Sequence, residues 1–208
     1  EGTWRLTTGT GELRTRVVVI ATGTTLKTLG IPGEERLRGK GVSHCASCDA
    51  PLLRGRVVGV VGGGDSALQE ALTLAQHVSR VILLHRGSAF SAQAAYRERV
   101  RENSKIEVRF GAIVEEVLGN GGLTGVRTRT VSDGKVEDLE LAGLFIYVGL
   151  APSATWAKNV VALDASGRIR VDDTMRSSVA GLFAAGTVRS GSPGRAASAA
   201  GDGATAAV

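Results

Sequence analysis

The stretch "RVVGVVGGGDSALQEALTLAQHVSRVILLHR", residues 56–86, limits the folds open to this chain more than any other. A nearly continuous β-branched run from Val57 to Val61 suits one buried strand and leads straight into three glycines. From about Ser66 to Val78, apolar Ala67, Leu68, Ala71, Leu72, Leu74 and Ala75 recur at helical spacing, and "RVILLHR" follows as a second apolar strand. Parallel strands need a crossover of about this length, so the stretch predicts a βαβ unit. Its turn, "GGGDSA", fits G-x-G-x-x-A with Gly62, Gly64 and Ala67 at the three special positions. Gly62 permits the tight turn, Gly64 lets backbone approach a pyrophosphate, and the small Ala67 allows close helix–strand packing. The helix start, with Ser66 in its first turn, offers free N–H groups and a positive dipole end to the phosphates.

The end of the second strand bears on which dinucleotide is bound. An NAD-binding unit carries a carboxylate there for the ribose hydroxyls, whereas this chain has His85 and Arg86. Arg86 can make charge-assisted bonds to a 2′-phosphate, which favours NADP(H). The competing reading is a solvated arginine at a strand end.

Around this unit the pattern stays α/β. "TWRLTT", a "GTGE" turn and "LRTRVVVI" read as strands, and "AQAAYRERVREN" as a charged-faced helix. "KIEVRF", "AIVEEVLG", "LTGVRTRTV" and "VEDLEL" read as successive strands with "SDGK" as a hairpin turn, and "GLFIYVGL", "GRIRVDD" and "AGLFAAGTV" as further strands. The alanine-rich tail predicts a closing helix. With 208 residues and 43% hydrophobic content the chain can bury one sizeable core or two small ones. No apolar run approaches the roughly 20 residues of a membrane span, and no signal pattern opens the chain, so the expected compartment is the cytoplasm. The net charge of +5 is carried by scattered arginines with few aromatics between them, which argues against a nucleic-acid partner.

The only two cysteines lie in "SHCASCDAP", residues 43–51. Zinc needs four ligands, and Cys45, Cys48 and His44 supply at most three. The polar surroundings argue against two buried free thiols, while C-x-x-C spacing closes a disulfide within one turn and suits reversible exchange. Asp49 is placed either to exchange protons with that cycle or to form a turn.

A C-x-x-C-D just upstream of a nicotinamide-dinucleotide βαβ unit, together with "ATG" at 21–23 and "GLFAAGTV" at 181–188, resembles the low-molecular-weight thioredoxin reductase family, to which the flavoprotein subunit of alkyl hydroperoxide reductase is related. The resemblance runs through nearly the whole chain in motif order, from "GIPGEERLRGKGVSHCASCDAPLLRGRVVGVVGGGDSALQEA" through "ELAGLFIYVGLAPSATW" and "AGLFAAGTVRSG" to "GRAASAAGDGATAA". It implies an α/β fold in which a Rossmann-like dinucleotide-binding domain, a parallel sheet plus a β-meander, is inserted into a flavin-binding domain whose N-terminal half is absent from this chain. In that arrangement residues 1–40 end the first flavin-domain segment, 41–148 form the NADP(H)-binding domain with the C-x-x-C, and 149–208 form the second flavin-domain segment.

The resemblance also implies an activity: NADPH reduces FAD, FAD reduces the cysteine pair, and the pair reduces a thioredoxin-like or peroxiredoxin-system protein. Cys48 then faces the flavin, Cys45 attacks the partner disulfide, and Asp49 is the acid/base. Gly62, Gly64 and Ser66 hold the NADPH pyrophosphate and Arg86, beside His85, its 2′-phosphate. Thr22 and Gly23 lie beside FAD, with Gly186 and Thr187 at the second such turn, and Arg195, Ala196 and Ala197 lie along the isoalloxazine. A homodimer is implied, as is rotation of the inserted domain about glycine-rich connections near Gly39–Gly41 and Gly149–Pro152.

Three features depart from the family pattern. Gly87 and Ser91 stand where further arginines follow Arg86, which weakens the NADPH preference. Thr187 replaces the flavin-binding aspartate and Ala196 the usual glutamine. The first flavin-domain βαβ unit does not occur in the sequence, so "RVVVI" and "GLFAA" are expected to lack sheet neighbours, and the chain is expected to be the C-terminal part of a flavoenzyme longer by about a hundred residues. Two rival readings follow: an NADH-dependent reductase or dithiol oxidase relative, and a flavin-free nucleotide-binding or redox-sensing module.

Overall fold

The computed structural model describes residues 2–208 and divides into two compact units. One runs from Leu26 to Gly149; the other combines residues up to Thr25 with Leu150–Val208. The second unit opens with the hairpin β1 (Trp4–Thr8) and β2 (Gly11–Thr15), then β3 (Val18–Ile20) and β4 (Thr24–Leu26) at the first crossing. The central unit contains β5 (Val42–Ser43), α1 (Ala46–Asp49), β6 (Val57–Val61), α2 (Asp65–Ala75), β7 (Arg80–His85), α3 (Ala94–Glu102), β8 (Ile106–Phe110), β9 (Ala112–Leu118), β10 (Gly125–Thr130), β11 (Val136–Glu140) and β12 (Gly143–Ile146). After the second crossing come β13 (Leu150–Pro152), β14 (Leu182–Ala184) and α4 (Ala196–Ala206). Among the described residues no helix is long and apolar enough to cross a membrane.

The central unit is built on a five-stranded sheet ordered β5-β12-β6-β7-β8, with every neighbouring pair parallel. Its strands are apolar without alternation because both faces are covered. Val58, Val60, Val81, Leu83 and Phe145 pack with Leu68, Leu72 and Leu74 of α2 on one side. Val61, Ile82, Leu84, Leu144 and Ile146 pack with Val114, Val117 and Val126 of the antiparallel β9-β10-β11 meander on the other. Leu83 is fully buried, and such a side chain contributes about 1.5–3 kcal/mol. The helix α2 stops where Lys105 Nζ donates to the Ala75 and Val78 carbonyls, satisfying acceptors that the last turn leaves free.

The first crossing falls between Thr25 and Leu26 rather than after residue 40. The physical reason is local packing: Leu29, Ile31 and Leu37 join the meander core, Val117 N–H donates to the Pro32 carbonyl, and the buried Glu34 carboxylate accepts the N–H groups of Leu29 and Gly30. Gly39–Gly41 therefore sits inside the central unit, where Leu144 N–H donates to the Gly41 carbonyl, and is not a connection between units.

In the second unit β3 and β14 pair with each other in parallel, Val18 to Leu182 and Ile20 to Ala184, so these two strands do have one neighbour each. Val17 and Val19 remain 48% and 44% exposed beside this narrow sheet. Ile20, Leu182 and Ala184 pack with Ala157, Val161, Ile169 and Val188. The expected strand at "GRIRVDD" does not form; Ile169 makes only isolated bridges to Leu163 and Arg189. Asp164 and Asp172 explain this, because their carboxylates accept the N–H groups of Ser166, Arg168, Thr174 and Arg176 and draw the backbone into turns.

Candidate redox and dinucleotide site

Because all five strands of the central sheet run in one direction, the segments after β5, β6, β7 and β12 emerge at the same edge. That carboxyl edge is where open α/β sheets bind ligands. The cysteine pair follows β5 and the glycine turn follows β6, so the topology gathers into one unit what the sequence presents as separate motifs.

Cys45 is the N-cap of the short α1, and its sulfur is joined to Cys48 in a disulfide. Cys48 is exposed and Cys45 half-buried. The segment is pinned from several sides: Cys45 N–H donates to Ser43 Oγ at 3.0 Å, His44 Nδ1–H to the Ile146 carbonyl at 2.9 Å, and Ala46 N–H to the Tyr147 hydroxyl at 3.1 Å. Asp49 is half-exposed and its carboxylate makes no capping bond to the turn it opens.

The glycine turn meets each steric requirement of its motif. Gly62 has φ +149°, and a Cβ there would lie 2.7 Å from Ala67 Cβ and closer still to the Tyr147 carbonyl. Gly64 is the N-cap of α2 at φ −96° and ψ −179°, no side chain caps the helix, and the nearest atom to a Cβ would be Ser91 Oγ at 3.9 Å. The turn is thus closed behind Gly62 and open in front of Gly64. Ser66 is exposed on the first turn of α2. Asp65 accepts the backbone and side-chain N–H groups of Gln93, which anchors the start of α3 beside that of α2. His85 donates through Nε2–H to the Ala89 carbonyl and lies against Gly63, with Phe90 and Phe110 at ring-centroid distances of 5.6 and 6.2 Å. The imidazole is the wall beneath the turn, and Arg86, next along the chain, is exposed at the end of β7. An open turn on an uncapped helix start fits a dinucleotide pyrophosphate.

In the second unit the remaining expected residues collect at the ends of β3 and β14. Gly23 has φ +66° and Gly186 φ +78°, and Thr187 Oγ1 lies 3.5 Å from where a Gly23 Cβ would stand. Thr22 Oγ1 donates to the Ser153 carbonyl, whose own N–H donates to the Gly23 carbonyl. Arg195, Ala196 and Ala197 are exposed at the uncapped start of α4. Sequence reasoning missed Asp202: it is only 6% exposed, accepts Gly186 N–H at 3.0 Å, and forms a two-pronged pair with Arg189 at 2.6 Å on each side. That pair holds the carboxyl below the ordinary range, chiefly through the guanidinium hydrogen bonds. Side-chain-free turns and free helix N–H groups fit the acceptor-rich edge of a flavin, with the Thr187 hydroxyl as the polar side chain at the turn.

Residues 3–203 match the family model described as pyridine nucleotide-disulphide oxidoreductase. The chain belongs to the pyridine nucleotide-disulphide oxidoreductases. It is 39% identical over 207 residues to a thioredoxin reductase of Treponema pallidum, covering 100% of this chain and 67% of that one. It is 38% identical to an alkyl hydroperoxide reductase subunit of Pseudomonas putida, covering 86% of this chain and 35% of that one. Among solved structures, thioredoxin reductase of Lactococcus lactis superposes with a TM-score of 0.89 at 36% identity, covering 99% of this chain and 68% of that one. The chain thus spans about two thirds of these thioredoxin reductases and about a third of the hydroperoxide reductase relative. Membership in this oxidoreductase family implies flavin and nicotinamide cofactors.

Proposed function

We propose that this protein is a flavin-dependent disulfide reductase of the thioredoxin reductase type, carrying electrons from NADPH through FAD to the Cys45–Cys48 disulfide. From there they pass to a thioredoxin-like or peroxiredoxin-system protein. The homodimer implied by the sequence resemblance and the cytoplasmic compartment expected from the sequence belong to the same reading. The observation that carries it is the placement of a C-x-x-C disulfide and an open dinucleotide turn on one edge of one sheet. In this reading the central unit holds the nicotinamide dinucleotide through Gly62, Gly64, Ser66 and Arg86, with His85 supporting the turn. The second unit holds the flavin through Thr22, Gly23, Gly186, Thr187 and the start of α4, Arg195 to Ala197. Bound there, the flavin supplies the exchange of a hydride for two electrons that thiols can accept.

The protein residues then act in order. Two electrons and one proton open the disulfide, leaving one thiolate and one thiol, and Asp49 exchanges that proton at sulfur. The Cys45 thiolate attacks one sulfur of the partner disulfide and forms a mixed disulfide, and the partner's other sulfur leaves and takes a proton. Cys48 gives up its proton, attacks Cys45 Sγ as the thiolate, regenerates the Cys45–Cys48 bond and releases the second partner thiolate, which takes up a proton in its place. One NADPH and one proton are consumed per partner disulfide reduced.

A second reading has a specific observation behind it. The turn facing Gly23 carries the neutral Thr187, and the carboxylate of Asp202 beside it is already engaged by Arg189 and Gly186, which favours a flavin-free nucleotide-binding module. An anaerobic visible spectrum before and after NADPH separates the two. Flavin bands that bleach, with thioredoxin reduction abolished and bleaching retained in Cys48→Ser, support the reductase. A colourless protein that binds NADPH tightly supports the module.

A further inference from the structure

We propose that Tyr147 is the positioning residue of the redox pair, holding the first turn of the cysteine helix through the Ala46 N–H while its own backbone locks the glycine turn. This inference rests on the reading of Cys45–Cys48 as a redox pair. Tyr147 directly follows β12, and two of its groups reach the two halves of the site. Its hydroxyl accepts Ala46 N–H at 3.1 Å, next to the N-cap cysteine. Its backbone N–H donates to the Val61 carbonyl at 2.8 Å, and its carbonyl occupies the space that excludes a side chain at Gly62. The preceding carbonyl, of Ile146, holds His44. The cysteine segment therefore hangs from the end of β12 on both sides of Cys45.

The phenol is suited to that task. Burial pushes its pKa well above the ordinary value, and the negative charges of Glu70 on α2 and Asp49 on α1 add to the effect, so it stays a neutral phenol whose oxygen accepts from Ala46. Ala46 is fully buried, and no Cys45 side-chain cap replaces the bond. The consequence differs between the two redox states. In the disulfide, loss of the hydroxyl leaves a buried N–H without a strong acceptor, which is unfavourable. In the dithiol the turn is no longer clamped by the S–S bond, so the same N–H can open to water and the loss costs less.

Tyr147→Phe should therefore shift the equilibrium toward the dithiol by roughly threefold to tenfold, a rise of about 14–30 mV in midpoint potential. The 208-residue chain is equilibrated in dithiothreitol buffers, trapped with a thiol reagent and scored for oxidised fraction. Thermal unfolding and NADPH affinity are measured alongside. A variant with lower thermal stability but an unchanged potential overturns the proposal, because a purely structural role moves only stability. If Tyr147→Phe does not fold, fluorotyrosine in a Tyr96→Phe background, which leaves Tyr147 as the sole tyrosine, weakens the acceptor while keeping the hydroxyl in place. It should shift the potential in the same direction, and no shift overturns the proposal. A wild-type pair that does not respond across the whole buffer range overturns the redox reading itself, and this inference with it.

Discussion

Alanine at Gly64 and alanine at Gly62 should fail in opposite ways. At Gly64 the backbone is extended, a conformation any residue adopts, and a new Cβ meets nothing nearer than Ser91 Oγ at 3.9 Å. Folding should be unharmed and even gain about 0.4–1 kcal/mol by restricting the unfolded chain. A phosphate oxygen bonded to the helix-start N–H groups, however, must approach to about 2.9 Å of nitrogen, while a methyl carbon holds its neighbours at about 3.5–4 Å. Losing one charge-assisted bond, worth about 1.5–3 kcal/mol, weakens NADPH binding by roughly tenfold to a hundredfold. At Gly62 the positive φ alone costs about 1–3 kcal/mol, and the Tyr147 carbonyl, fixed in the chain after β12, cannot yield. Thermal unfolding without ligand and calorimetric titration with NADPH, done on both variants, read the two effects apart. Gly64→Ala with wild-type stability and a Kd within twofold of wild type would refute the assignment of this turn to a pyrophosphate.

Two further outcomes follow from other residues. Arg86→Ala should raise the Kd for NADPH about tenfold and leave NADH nearly unchanged, since only the 2′-phosphate separates them; titrating both nucleotides checks this, and equal losses would count against a 2′-phosphate contact. Asp202→Asn should cost about 3 kcal/mol at neutral pH, because Arg189, itself only 15% exposed in its side chain, loses its charge partner. The Asp202 carboxyl is depressed below its ordinary 3.8, so this stabilisation is fully present above that pH and is lost as pH falls through the lower folded value. Urea unfolding of both proteins at neutral pH and in acid should show a gap that narrows as the pH falls.

What could be read from the sequence was set by how local each feature is. The βαβ unit was legible because β6, the turn and α2 are consecutive and their packing demands fall on Gly62, Gly64 and Ala67 within one hexapeptide. The C-x-x-C was legible for the same reason. The position of the first crossing was not, because glycines at 39–41 look like a hinge, whereas the decision belongs to Leu29, Ile31 and Leu37 packing against strands some eighty residues later.

The parts of the site that escaped sequence reasoning share a physical form: a polar group whose partner is remote in the chain. Tyr147 reaches Ala46 across 101 residues, and Asp202 reaches Gly186 across 16 from the far side of a glycine-rich loop. Neither has a spacing signature, since the bond exists only once β12 lies beside β5, or α4 beside the turn after β14. One signal was present for Tyr147. In "GLFIYVGL" a tyrosine interrupts an otherwise apolar run, and a phenol carried into a covered strand end must find a hydrogen-bond partner or lose the free energy of its hydration. The partner it finds is a backbone donor next to the redox cysteine, which is why an apparently structural residue bears on the chemistry.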